Sequence, residues 1–104
     1  MQQLGYLEET VLLLIMKMEK DAYGFSVSEE YKIHTNKSIS ISAIHTVLSR
    51  LEKKGLIQSE MGGATDERGG RRKRIFVPTN DGKETIQAIK KSRQSLWAQI
   101  PDLV

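Results

Sequence analysis

The chain has 104 residues, 38% hydrophobic and 28% charged, with eight glycines, two prolines and no cysteine, which is the composition of a small globular domain with one core. The missing cysteine excludes a disulfide scaffold, a thiolate zinc site, an iron-sulfur cluster and a cysteine nucleophile, and the longest apolar run, Val11 to Met16, is far too short to span a membrane. Net charge is +3, but residues 1 to 67 carry seven basic and ten acidic side chains while residues 68 to 104 carry nine basic and three acidic ones, so the positive charge is localised.

With no basic leader or small-residue cleavage site in view, a soluble cytoplasmic protein without metal or cofactor is expected. From Leu4 to Met18 the apolar positions Leu4, Leu7, Val11, Leu14 and Met18 keep helical spacing, and Leu12, Leu13, Ile15 and Met16 widen the stripe. This predicts a helix packed on more than one side. Asp21 is the expected N-cap of a second helix over about residues 22 to 33, with Tyr23, Val27 and Tyr31 on one face and Gly24 marking a close approach. A short polar turn, His34 to Ile39, follows.

A third helix should start from Ser40 or Ser42 as N-cap and stop at Gly55, after the basic pair Lys53-Lys54. Its apolar face is Ile44, Val47, Leu48 and Leu51; the opposite face carries Ser42, His45, Thr46, Ser49, Arg50 and Lys53. Short hydrogen-bonding side chains come first and cations later, which suits a helix whose first half meets base edges and whose second half meets phosphates.

After Gly55 the period becomes two, predicting a strand in which Ile57, Ser59 and Met61 share a side. A second strand, Lys73 to Val77, is expected to turn Ile75 and Val77 inward, with Phe76 on the other face. Between them, residues 62 to 72 contain four glycines, and five of the seven residues from 68 to 74 are basic: Arg68, Arg71, Arg72, Lys73 and Arg74. The prediction is a hairpin with a basic tip, an electrostatic footprint for a phosphate-bearing partner. Pro78 ends the second strand and Thr79 caps a final helix over about residues 80 to 100. In that helix Ile86, Ile89, Arg93, Leu96 and Ile100 follow 3-4 spacing with Trp97 beside them, the seam of a helix that meets another helix, across a homodimer or within its own domain.

Helix, helix, helix, basic-tipped hairpin and long helix make a mainly α fold with a small β-hairpin, the winged helix-turn-helix, with residues 1–79 as the DNA-binding part and 80–104 as a dimerisation helix of the same compact unit. The chain resembles the PadR-type transcriptional regulators, a bacterial family. The resemblance rests on Asp21-Ala-Tyr-Gly24, on Ser40-Ile-Ser-Ala-Ile-His-Thr-Val-Leu48 with Ser49-Arg-Leu-Glu-Lys-Lys-Gly-Leu-Ile57, on Gly70-Arg-Arg-Lys-Arg-Ile-Phe76 and on Pro78-Thr-Asn-Asp-Gly82. Where the family usually has Tyr-Pro in the third helix and a tyrosine closing the wing, this chain has His45-Thr46 and Ile75-Phe76. The resemblance implies a repressor that binds double-stranded DNA as a homodimer, with some members responding to small aromatic or lipophilic compounds near the dimer interface. An enzyme is disfavoured: there are two histidines, no phosphate loop, and carboxylate pairs only among polar neighbours. A winged-helix module for acidic protein or RNA is the other alternative, but it would more often expose an apolar patch on the third helix.

Overall fold

The computed structural model describes residues 3–64 and 72–103, with backbone alone at 63, 64, 72 and 103. Four helices and a hairpin run in the order α1 (Tyr6–Met18), α2 (Gly24–Thr35), α3 (Ile41–Lys53), β1 (Ile57–Ala64), β2 (Arg72–Pro78) and α4 (Asn80–Ala98), with short 3-10 turns at Glu19–Asp21 and Pro101–Leu103.

Helix α1 is the centre of the core. Its wide apolar stripe puts Val11, Leu12, Leu14 and Ile15 inside, where they meet Val27 and Tyr31 of α2 and Ile44, Val47, Leu48 and Leu51 of α3. Each such aliphatic side chain contributes roughly 1.5–3 kcal/mol by leaving water. Glu8, in the first turn, accepts hydrogen bonds from the Gly5 amide (3.2 Å) and from Lys54 Nζ (2.8 Å), which joins the start of α1 to the end of α3.

The start of α2 departs from expectation. Asp21 lies in the preceding 3-10 turn and Tyr23 is the N-cap. Ser26 performs the local satisfaction instead: its hydroxyl accepts from the Tyr23 amide (3.0 Å) and donates to the Asp21 carbonyl (2.7 Å). At α3 the structure selects Ser40 of the two expected caps, Ser40 and Ser42, with Ser40 Oγ accepting from the Ala43 amide at 3.0 Å, and Gly55 closes the helix at φ +76°, in the left-handed region that favours glycine.

In the antiparallel hairpin Ser59 faces Phe76 and Met61 faces Arg74, with an irregularity between Met61 and Ala64. The inward face of β2 is the reverse of that expected: Phe76 is buried at 4% exposure, while Ile75 and Val77 are only half-buried. The reason is tertiary. Directly opposed residues share a face, and the face holding buried Ile57 also holds Phe76, whose amide donates to the Ala22 carbonyl at 2.8 Å. Alternation identified the two faces of the strand but not which one the helices cover.

Helix α4 is fixed at its base. Thr79 Oγ1 accepts from the Gly82 amide (3.0 Å) and donates to the Gly55 carbonyl (2.7 Å), and the Thr79 amide donates to the Leu56 carbonyl (3.0 Å). Thr85 and Ile86 are buried and Ile89 is half-buried, but every residue from Lys90 to Ile100 is exposed. The second half of a helix about 28 Å long thus projects from the body, and the molecule measures 57 × 29 × 20 Å. Mainly helical, with a two-stranded hairpin and a long last helix, this is the winged helix-turn-helix architecture.

Candidate nucleic-acid interface

The amphipathic pattern of α3 decides what the helix presents. Four of its five large apolar residues, Ile44, Val47, Leu48 and Leu51, are in the core while Ile41 is exposed, and Ser42, His45, Thr46, Ser49, Arg50 and Lys53 are all exposed and together line one open depression. Thr46 Oγ1 donates to the Ser42 carbonyl (3.1 Å), which leaves its oxygen outward as an acceptor. The His45 ring rests on Gly24: a Cβ at that position would lie 3.0 Å from the imidazole. This is the close approach that a glycine in the first turn of α2 suggested. It seats the imidazole between the depression on α3 and a notch lined by Tyr23, Phe25, Ile41 and Phe76.

Of the predicted wing cations, Arg68 and Arg71 lie outside the described residues, and at Arg72 only the backbone, paired with Ala64, is described. The remaining two fold back on the body. Lys73 Nζ stands 4.2 Å above the centre of the Tyr23 ring. Arg74 lies 5.8 Å over the Phe76 ring, with Nη2 3.5 Å from Glu52 Oε1. Both stay exposed at the rim of the notch, so the polar face of α3 and the base of the wing form one continuous surface.

The predicted seam on α4 is divided. Ile86 is buried and Ile89 half-buried within the chain, whereas Leu96, Trp97 and Ile100 are exposed, Leu96 at 61%. Arg93 has an intrachain partner, Glu9 Oε1 at 2.8 Å. Between α1 and α4 lies a groove of about 580 Å³ lined by Leu13, Ile86, Ile89 and Trp97, with the Glu9–Arg93 pair at its edge.

Sequence reasoning missed Tyr23, Phe25, Ile41 and Glu52 as parts of this surface. Glu52 of α3 is bonded to Ser59 of β1 and Arg74 of β2, and periodicity within one element does not relate residues on different elements. Among the described residues no cluster of His, Asp and Glu could hold a metal ion, and no helix is long and apolar enough to cross a membrane.

Comparison with known proteins agrees with this geometry. Residues 11–88 match the Transcriptional regulator PadR-like family. An uncharacterized protein of Lysinibacillus sphaericus is 34% identical over 102 residues, covering 96% of this chain and 85% of that protein. Among solved structures, a PadR-like transcriptional regulator from Bacillus cereus superposes with a TM-score of 0.74 at 25% identity, over 93% of this chain and 89% of the other. A PadR family transcription regulator from Clostridium difficile superposes at 0.72 with 21% identity, over 94% and 97% of the two chains, and shows the same fold.

Proposed function

Since the chain belongs to the PadR-like family of transcriptional regulators, whose members bind DNA, we propose that it is a repressor acting as a homodimer on a pseudo-palindromic operator. The observation that carries this reading is the exposed face of α3, six polar and cationic side chains on one surface with the opposite face locked in the core. In this reading Ser42, His45 and Thr46 meet base edges in the major groove, and Ser49, Arg50 and Lys53 meet the backbone. Arg68, Arg71, Arg72, Lys73 and Arg74 supply the wing's attraction to phosphate.

The homodimer is supported by the exposed second half of α4, where Leu96, Trp97 and Ile100 stand in water on a single chain. Covering them with a second copy buries apolar area and completes the seam begun by Ile86 and Ile89, with Arg93 at its margin. The groove between α1 and α4 opens on the same region, and its apolar lining with Trp97 suits a small aromatic or lipophilic effector.

Selection of bound duplexes from a random library, at about 0.1–0.2 M salt to suppress non-specific attraction, tests the proposal. The expected product is a two-fold-symmetric motif with half-sites about one helical turn, roughly 34–36 Å, apart, which lowers transcription when placed in a reporter promoter. Recovery of no motif would refute sequence-specific binding by the protein alone, and a motif that raises transcription would refute the repressor role.

A further inference from the structure

We propose that Glu52 is a positioning residue that sets the reach of the wing relative to α3, by tying both hairpin strands to that helix through one carboxylate. The inference rests on the DNA-binding reading above. Glu52 stands in the last turn of α3, and its Oε2 accepts from Ser59 Oγ of β1 at 2.8 Å while its Oε1 lies 3.5 Å from Arg74 Nη2 of β2. The register places Ser59 opposite Phe76 and Met61 opposite Arg74, so Ser59 and Arg74 share the face of the hairpin turned toward the helix.

Among the described residues the hairpin is also held by the Thr79 amide on the Leu56 carbonyl at its base, by the Phe76 amide on the Ala22 carbonyl at the level of Ser59, and by Lys73 over the Tyr23 ring. Glu52 is the tie that reaches α3 from both strands, through Ser59 at the level of Phe76 and through Arg74 two residues nearer the tip. A two-stranded hairpin has little stability of its own, so its angle to the probe helix depends on such ties, and that angle fixes which phosphates the basic tip meets while α3 sits in its groove. Arg74 is therefore shared: it belongs to the basic run that attracts DNA, and it is also the cation through which α3 holds β2. A phosphate that takes Arg74 must draw it from Glu52, which moderates the wing's affinity for backbone of any sequence.

Two variants separate the carboxylate's contributions. Glu52→Gln keeps an oxygen to accept from Ser59 but removes the charge facing Arg74, whereas Glu52→Ala removes both. Without DNA, hydrogen exchange at the β1 and β2 amides is expected to quicken about tenfold in Glu52→Ala and less in Glu52→Gln, with α1 amides unchanged. With the selected duplex, Glu52→Ala is expected to lose about tenfold in affinity, while Glu52→Gln keeps most of its affinity and gains up to about one unit of salt dependence as Arg74 is released. Exchange in Glu52→Ala that matches wild type, or that rises equally in α1, overturns the clamp. So does quicker hairpin exchange with unchanged binding by both variants. Wild-type protein that binds no duplex would refute the DNA-binding reading instead, and the exchange comparison would still decide whether Glu52 orders the hairpin.

Discussion

Among the described glycines, Gly82 is the one where an added methyl group would meet the closest backbone contact. A Cβ there would come within 2.1 Å of the Leu56 carbonyl oxygen, and that oxygen belongs to backbone already bonded to the Thr79 amide. Neither side can yield without parting α4 from the turn after α3, so Gly82→Ala is expected to destabilise the fold by about 2–4 kcal/mol in urea unfolding. Gly24 is a milder case, because the neighbour is the movable ring of His45. Glu8 gives the fold a dependence on acid. The hydrogen bond from Lys54 is the main cause that holds its carboxyl below the ordinary value of 4.5, opposed by burial. A carboxyl with a depressed folded-state pKa stabilises fully above its unfolded value, and the contribution is lost as pH falls through the folded one. Urea midpoints measured from about pH 6 down to pH 3 should therefore fall more steeply in wild type than in Glu8→Gln; parallel curves would show that the pair adds nothing.

At the scale of elements, the proposed function has α3 and the wing divide recognition between information and attraction. Replacing Arg71 and Arg72 with Ala is expected to weaken binding to every duplex alike and to flatten the log-log salt dependence by up to about one unit per lost phosphate contact. Replacing Ser42, His45 or Thr46 is expected to change which base pairs are preferred, by about 1–3 kcal/mol at the contacted position. Binding titrations of both sets on selected and scrambled duplexes at several salt concentrations check the contrast. Equal losses on all sequences from the α3 variants would reduce that helix to backbone contact. The elements themselves were legible in the sequence because their signals are local: the Ser40 cap, the Gly55 stop, the apolar quartet of α3 and the Thr79 cap all stand where spacing put them. The start of α2 was misplaced because Asp21 was read as its cap, whereas Tyr23 is the N-cap and the Ser26 hydroxyl accepts from the Tyr23 amide and donates to the Asp21 carbonyl.

For the whole molecule the question is what covers the second half of α4. Leu96 is 61% exposed, so Leu96→Asp should leave the fold of one chain intact, with an unchanged far-UV spectrum, yet yield monomers in sedimentation, whereas wild type is expected to sediment as the proposed dimer. A variant that remains dimeric would place the interface elsewhere. Ile89 is a poorer probe, since it is half-buried against its own chain and its loss would mix folding with assembly. The base of α4 is bonded to the turn that ends α3, through Thr79 and the Gly55 and Leu56 carbonyls. The first turn of α4 therefore joins the end of α3 by direct hydrogen bonds.

The sequence by itself determined which polar residues face water on α3, that a basic hairpin follows it, and that a long last helix starts at the Thr79 cap. Each is a matter of period, capping or local charge, readable over a few neighbouring residues. Only the tertiary structure decided which face of β2 turns inward, because both faces carry apolar residues and the choice depends on where the helices lie. It also gave Arg93 its partner Glu9, 84 residues away, and gave Glu52 both strands of the wing. Pairings at such separations are set by how the elements pack, which no local pattern encodes.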